Sequence, residues 1–183
     1  MQPRGSSSEA KPRQGPRPRR FLDVDGSARS VRAAELAADL EEVADALVVL
    51  LEGVPMDRWM HVPGPGVWSI GKEAEHILEA GVYHQWIVRL TIGERVGSRR
   101  PSIERSRLTT DLSPRAAADL LRQRTEEGAS LIRDLSDQQL DLPTRPPRAR
   151  DARLAATIEG VLIGHYRGHG DEIAAKLRDT TAG

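Results

Sequence analysis

Residues 36–54, LAADLEEVADALVVLLEGV, place apolar side chains at alternating steps of four and three residues. This spacing puts the side chains on one face of an α-helix, because the helix turns once every 3.6 residues or so. Gly53 and Pro55 follow the last turn, and both residue types disfavour continuation of a helix. The stretch therefore predicts an amphipathic helix over about residues 28–53 that packs one face against other helices.

Three more segments have helical periodicity, and no stretch alternates apolar and polar residues as a half-buried strand would. Serines are placed to cap the second and third helices, and Pro114 suits the first turn of the third. The expected bounds are Ser69 to about Ile92, Ser113 to about Leu135, and about 152 to 179. Residues 136–150 contain three prolines and are not expected to form regular helix. Together these segments predict an all-α fold, a four-helix bundle.

The length and composition favour one domain. A chain of 183 residues can bury one full hydrophobic core, and we place this domain over residues 27–183. Residues 1–26 are rich in Pro, Arg and Ser, which predicts a disordered basic tail. The first twenty residues carry six Lys or Arg and one Glu, whereas the whole chain has a net charge of zero. The domain itself is therefore acidic, which argues against a nucleic acid as partner.

The sequence also limits the compartment and the chemistry. No apolar run reaches the length of a membrane span, and the N-terminus lacks the apolar core of a secretory signal. We therefore expect a cytoplasmic protein that has no membrane partner, and a homodimer is plausible. The chain has no cysteine, which excludes disulfides, thiolate metal ligands and a cysteine nucleophile. Any metal must be held by His, Asp or Glu, and any reacting sulfur must come from a substrate.

The fourth helix contains GHYRGHGDEI, residues 164–173, in which two histidines stand four residues apart. His165 and His169 fall in the middle of the apolar stripe, and this spacing lets both side chains reach one ion. We interpret the surrounding glycines as room near that ion. The alternative is that both are hydrogen-bonded core histidines.

A third histidine faces inward from the second helix. There the polar residues share one arc (Lys72, Glu75, Glu79, Gln85, Arg89), and His76 belongs to the opposite, buried side. Three inward histidines on two helices would give a three-nitrogen site with open positions, as in catalytic metal centres. His84 also faces inward but lies about 12 Å farther along the helix axis. We therefore expect His84 to line a pocket or belong to the core.

WSIGKEAEHI, residues 68–77, resembles the tryptophan–serine helix start of the DinB-like superfamily, and residues 165–173 resemble its last helix. This superfamily includes metal-dependent thiol transferases and maleylpyruvate isomerases that use mycothiol or bacillithiol. The resemblance implies a DinB/YfiT-like four-helix bundle with metal ligands at His76, His165 and His169. The sequence departs from the family pattern where Lys72 replaces the usual acidic residue, with Glu73 one place later, and where Glu172 replaces a common glutamine.

The resemblance favours a metal-dependent transferase that adds a low-molecular-weight thiol, such as mycothiol or bacillithiol, to an electrophilic small molecule. The expected cofactors are a divalent metal and the thiol as cosubstrate. We expect zinc, although nickel, iron and manganese also accept imidazole. One alternative is a metal-dependent hydrolase or isomerase of a reactive metabolite, acting in self-protection. Another is a non-catalytic bundle that binds a small molecule.

Several other residues are candidates for the site. Glu172 could orient an imidazole or move a proton, or it could form a helix-end salt bridge. Arg124 interrupts the apolar stripe of the third helix, so it could reach an anionic substrate or extend to water. Trp68 and Tyr83 could line a substrate pocket, although core packing also explains them. The basic segment RVGSRRPSIERSR, residues 95–107, is interpreted as a solvated connection unless it overhangs the site.

Overall fold

The computed structural model describes residues 30–97, 99–145 and 152–179. Within these ranges the chain is helical, with one isolated β-bridge and no strand. The predicted all-α fold is confirmed, whereas the predicted tail at residues 1–26 lies outside the described residues. The helices are α1 (Val31–Glu52), α2 (Met56–Met60), α3 (Ile70–Thr91), α4 (Pro114–Arg133), α5 (Asp137–Leu140), α6 (Leu154–Thr157) and α7 (Gly164–Asp179), and a π-helical turn (Ile158–Ile163) joins α6 to α7.

Serine side chains start four of these helices. Each accepts a hydrogen bond from the backbone N–H three residues later, at Ser30, Ser69, Ser113 and Ser136. Such a cap satisfies a backbone donor that has no partner inside the helix and is worth about 1 kcal/mol. The caps expected at Ser69 and Ser113 are therefore confirmed. The chain turns away after α3 at Gly93, whose φ of +85° suits glycine.

The long helices form a ring. α1 packs against α4, α4 against α3, α3 against α7, and α7 against α1. The broken helix α6–α7 thus takes the place of the fourth helix expected from the sequence. None of the described helices combines the length and apolar composition needed to cross a bilayer.

The buried face of α1 is shifted from the expected stripe. Leu40 and Leu47 are buried as expected, but Leu36, Val43 and Leu50 only pack at the edge of the core. Their place is taken by small residues, since Ala33, Ala37 and Ala44 are almost fully buried. Alanine lets α4 approach α1 closely, because its side chain ends at Cβ.

Helix α3 is enclosed on more sides than expected. The connection after α3 contacts the predicted polar arc, where the backbone N–H of Glu104 donates to Glu79 Oε2 at 3.0 Å. Arg107 Nη2 donates to Glu75 Oε1 at 3.1 Å. Lys72 is 0% exposed, and its Nζ lies 2.8 Å from Glu75 Oε2. The expectation that Lys72 lies on the polar side of α3, opposite the buried side, is therefore wrong, because its side chain is fully buried and paired with Glu75.

Two short helices lie in the connections. In α2, Trp59 is fully buried and its Nε1 donates to the Leu112 carbonyl at 2.6 Å. Helix α5 forms within the proline-containing segment, where a capping box between Ser136 and Gln139 supports one turn ahead of Pro143. The expectation that residues 136–150 lack helix is thus wrong for Asp137–Leu140, because the first proline comes only after this turn.

Candidate metal centre

The three histidines predicted to be ligands lie together where α3 packs against α7. The ring centroid of His76 is 5.0 Å from that of His165 and 4.9 Å from that of His169. The two rings on α7 are 4.4 Å apart. One ligand nitrogen from each residue lies within 4.8 Å of those of the other two. One ion could therefore contact all three side chains.

Two nitrogens in this cluster need a partner. His76 Nδ1 and His165 Nε2 are buried and have no hydrogen-bond partner among the described residues. A buried polar atom left in this state costs about 1–3 kcal/mol. A tetrahedral ion with bonds of about 2.0–2.1 Å places its nitrogens about 3.3 Å apart. The present separations of up to 4.8 Å exceed this value by about 1.5 Å, which side-chain rotation can close. The residues therefore fit a metal.

The first turn of α3 is anchored to other parts of the chain. The backbone N–H of Ser69 donates to the Leu108 carbonyl at 2.9 Å. Lys176 Nζ on α7 donates to the Trp68 carbonyl at 2.9 Å. The Trp68 ring lies 4.9 Å from the His76 ring. Trp68 therefore lies beside the histidine cluster, and its role in substrate binding stays a prediction.

Glu73 is a site residue that was not among the sequence candidates. Its Oε2 lies 2.9 Å from His169 Nδ1, and its Oε1 lies 2.7 Å from Lys176 Nζ. Because the carboxylate faces Nδ1, it favours a proton there and leaves Nε2 as the nitrogen for an ion. Glu73 precedes His76 by three residues, so helical spacing alone places both on one side of α3. This spacing was the signal that could have identified it.

Glu172 also lies at the cluster. Its Oε2 is hydrogen-bonded to His169 Nδ1 at 3.0 Å, whereas Glu73 Oε2, although 2.9 Å from the same nitrogen, lacks hydrogen-bond geometry. The side chain of Glu172 is 56% exposed, compared with 7% for Glu73. Two carboxylates thus face the same nitrogen, one from the interior and one from the surface. Because Glu172 is exposed, it is the one that can exchange protons with water. Its proposed role in catalysis stays a prediction.

Burial keeps two of the imidazoles neutral. Burial, together with the charges of His169 and Arg105, lowers the pKa of His76 to about 4. Burial and the neighbouring histidines lower the pKa of His165 to about 3. The pKa of His169 is raised, chiefly by the Glu73 carboxylate, whose Oε2 lies 2.9 Å from its Nδ1. At neutral pH an ion would therefore meet two ligands that carry no proton to displace.

The carboxylate in this network stays ionised. Burial alone would raise the pKa of Glu73, but the nearby His169 and Lys176 outweigh burial and lower the pKa. Glu73 therefore presents a negative charge to His169. A negative charge beside Nδ1 favours a proton at that nitrogen.

The metal-free protein is expected to lose stability as the pH falls from 7 to 5. The pKa values of His76 and His165 lie near 6.5 in the unfolded chain and far lower in the folded chain. The unfolded chain therefore binds more protons in this range, and stability must fall with pH. Each histidine contributes up to about 2 kcal/mol between these pH values, and the raised pKa of His169 offsets part of the loss. Urea unfolding of chelator-treated protein at pH 5, 6 and 7 measures the slope.

The His76→Ala/His165→Ala variant is the control for this prediction. The variant lacks the two histidines and keeps every acidic side chain, so the difference between the two slopes measures the contribution of these histidines. Equal slopes would show that the two imidazoles are not held neutral by the fold.

Tyr83 and His84 lie next to the cluster. The His84 ring is 5.8 Å from the His165 ring and 5.7 Å from the Tyr83 ring, and both residues are buried. The guanidinium of Arg100 lies 4.6 Å from the centre of the Tyr83 ring. His84 does not belong to the three-histidine group within the part of the chain that the structure describes. The substrate-binding roles of Tyr83 and His84 stay predictions.

Arg124 has a structural contact with α3. Its Nη1 donates to the Leu78 carbonyl at 2.7 Å, and Gln85 Nε2 donates to the Arg124 carbonyl at 2.8 Å. These bonds tie α4 to α3. The predicted contact between Arg124 and an anionic substrate stays a prediction.

Arg105, in the basic segment 95–107, contributes positive charge near the cluster. Its charge lowers the pKa values of His76 and His165, after burial and the charges of neighbouring histidines. The interpretation of the segment as a solvated connection stays a prediction.

The glycines near His165 and His169 do not all leave room for an ion, contrary to the prediction from the sequence. At Gly170 a Cβ would lie 3.0 Å from Leu47 Cδ2, so glycine there permits α7 to pack against α1. The interpretation as room near an ion is therefore wrong at this position. Gly164 ends the π-helical turn, with its N–H bonded to the Glu159 carbonyl. This wider turn buries Ile163 and Tyr166, which uniform α-helical spacing did not predict.

The sequence was compared with known proteins. A family model described as the DinB superfamily matches residues 39–173, about three-quarters of the chain. No curated protein and no solved structure gives a significant match. The matched range includes all three histidines of the cluster, as well as Glu73 and Glu172.

Proposed function

We propose that this chain is a metal-dependent transferase that adds a low-molecular-weight thiol to an electrophilic small molecule. The chain belongs to the DinB superfamily, a group that includes metal-dependent enzymes. The observation that carries the proposal is the cluster of three imidazoles, in which His76 is buried and the other two are partly buried. Two of the three have nitrogens without partners among the described residues. His76, His165 and His169 would hold a divalent ion. A bound ion of this kind lowers the pKa of a coordinated thiol, so that thiolate is available near neutral pH.

The sulfur must be supplied by a cosubstrate. The chain contains no cysteine, so no residue of the protein can act as a thiol nucleophile. In the proposed reaction the thiol loses its S–H proton and its sulfur forms a C–S bond to a carbon of the electrophile. At that carbon either the bond to a leaving group breaks and the group departs with the electron pair, or a π bond breaks and the atom that receives its electron pair takes up a proton. We propose that Glu172, which is half exposed and contacts His169, passes the proton to solvent.

Charge at the cluster supports an anionic ligand. The neutral imidazoles do not compensate the charge of an ion, and the carboxylate of Glu73 is already paired with Lys176 at 2.7 Å. Arg105 adds positive charge on the side of segment 95–107, where it acts on His76 and His165. These charges favour a thiolate over a neutral ligand.

We propose zinc as the metal. Zinc commonly binds three protein ligands in catalytic centres and leaves the fourth position for water or substrate. Nickel, iron and manganese also accept imidazole nitrogens. Competition between these ions for the metal-free protein would establish the order of affinity.

The proposal is tested by assaying zinc-loaded protein with a fluorogenic bimane electrophile and a panel of thiols that includes mycothiol and bacillithiol. We expect thioether formation at least about tenfold faster than without protein for one thiol of the panel, and return to the background rate in the metal-free protein. The His76→Ala variant serves as a second negative control, because it removes one ligand.

Two outcomes would contradict the proposal. If the protein consumed electrophiles at the same rate without thiol, the activated ligand would be water, and a hydrolase or isomerase would be the better assignment. If the purified protein bound no metal and its melting temperature did not change with chelator, the cluster would be structural, as in a non-catalytic binding protein.

A further inference from the structure

Helices α3 and α7 touch where a glycine faces a buried tyrosine. Gly81 lies on α3 and Tyr166 on α7. A Cβ added at Gly81 would lie 2.5 Å from the Tyr166 hydroxyl oxygen but 3.6 Å from the Cζ carbon behind it. The first distance is well inside van der Waals contact, whereas the second is an ordinary contact. Only the hydroxyl of the tyrosine therefore requires glycine at position 81.

The tyrosine cannot turn aside to relieve such an overlap. Tyr166 is 1% exposed and belongs to the hydrophobic core. Burial raises the pKa of the Tyr166 phenol to about 12 and so keeps the phenol neutral. Arg124 and Thr125 on α4 are near enough to lower this pKa in part. Arg124 is itself bonded to the Leu78 carbonyl of α3, one turn before Gly81. The phenol is thus enclosed by α3 and α4 as well as by its own helix.

Each residue of this contact lies within five residues of a predicted metal ligand on the same helix. Tyr166 stands between His165 and His169 on α7, and Gly81 follows His76 by five residues on α3. Relief of an overlap at 2.5 Å requires the two helices to separate by about 1 Å. Metal–ligand distances tolerate only about 0.2 Å. Side-chain rotation must already close about 1.5 Å to bring the three ligands to one ion, and a further separation of the helices would add to that distance. A change at this contact should therefore weaken metal binding.

We propose that Gly81 and Tyr166 form a positioning contact that sets the spacing of α3 and α7 and so brings His165 and His169 to His76. The inference rests on the metal centre of the proposed function. Neither residue belongs to the ligand set, and both act through the helices that carry the ligands.

The test is a double-mutant cycle with Gly81→Ala, Tyr166→Phe and the two combined, and the readout is affinity for Zn²⁺. Gly81→Ala is expected to weaken Zn²⁺ binding about 10- to 100-fold, the range seen when residues that orient metal ligands are changed. Tyr166→Phe leaves a gap instead of an overlap, and we expect a loss of less than about fivefold. In the Tyr166→Phe background, Gly81→Ala should cost less than about threefold, because the oxygen that it would strike is gone.

Two further readouts separate positioning from general destabilisation. The visible spectrum of bound Co²⁺ reports coordination geometry, and we expect it to change in Gly81→Ala and to return in the double variant. Urea unfolding of the metal-free proteins measures the stability of the bundle. Gly160→Ala is the matched control, since a Cβ there meets no atom within 4 Å. It should leave both the affinity and the spectrum unchanged.

The outcomes distinguish this inference from the proposed function. If the wild-type protein binds no Zn²⁺, the metal centre itself is refuted. If the wild-type protein binds Zn²⁺ and Gly81→Ala binds it equally well, the positioning contact is refuted while the metal centre stands. The contact is also refuted if the double variant is as impaired as Gly81→Ala, or if neither of the two folds, because the hydroxyl would then not be the source of the conflict.

Discussion

Replacement of His76 by alanine is expected to lower the affinity for zinc by more than a hundredfold. His76 is the only member of the three-histidine group that α3 supplies, whereas α7 supplies the other two. Without it, an ion would have two protein nitrogens on a single helix, and the effect should exceed the 10- to 100-fold cost typical of residues that only orient ligands. Titration of the metal-free variant with Zn²⁺ against a competing chelator measures the affinity.

His84→Ala is the matched control for this variant. His84 lies on the same helix and is 4% exposed, similar to the 3% of His76, but it is not in the three-histidine group. Both substitutions remove a buried imidazole, so any loss of zinc affinity that comes from lost packing should be similar in the two variants. If His84→Ala lost zinc and His76→Ala retained it, the ligand assignment on α3 would be wrong.

Replacement of Glu73 by glutamine is expected to lower the affinity for zinc about 10- to 100-fold. The substitution keeps the shape of the side chain but removes the charge that faces His169 Nδ1 at 2.9 Å. Without that charge the imidazole is less firmly held with Nε2 directed away from the carboxylate. The variant also removes the negative charge that lies 2.7 Å from Lys176 Nζ. Zinc affinity and the metal-free unfolding free energy should be measured together, because both depend on this pair.

Glu172→Gln provides the comparison. Its carboxylate lies at nearly the same distance from His169 Nδ1, but the side chain is 56% exposed and therefore screened by water. We expect a change in zinc affinity of less than about threefold. A larger loss in Glu172→Gln than in Glu73→Gln would reverse the roles given to the two carboxylates.

Much of the fold follows from local signals. Ser69 and Ser113 cap their helices because a serine hydroxyl satisfies a backbone N–H at a helix start, and this requires no knowledge of the tertiary structure. The position of His76 on an inward face follows from helical spacing in the same way. Helical spacing in the sequence does not predict the features that depend on tertiary packing between elements. Lys72 is fully buried although it lies on the polar arc of α3, and helical spacing carries no signal for what covers that arc.

In the candidate site, too, some features follow from local sequence and others depend on tertiary contacts. The spacing of His165 and His169 predicts that they share a face, and the structure brings them to within 4.4 Å of each other. Glu73 is not identified as a site residue from the sequence. Its role depends on contacts with Lys176 and His169, which are about one hundred residues away in the chain. The π-helical turn before Gly164 likewise changes the direction of Ile163 and Tyr166, and its hydrogen-bond pattern has no simple signature in the sequence.

The most direct test of the metal centre is X-ray absorption at the zinc edge of protein loaded with one equivalent of Zn²⁺. We predict a shell of nitrogen or oxygen neighbours at about 2.0–2.1 Å with the outer scattering of three imidazoles, and one sulfur at about 2.3 Å after the productive thiol is added. A shell that lacks imidazole scattering would contradict the assignment of His76, His165 and His169 as the ligands.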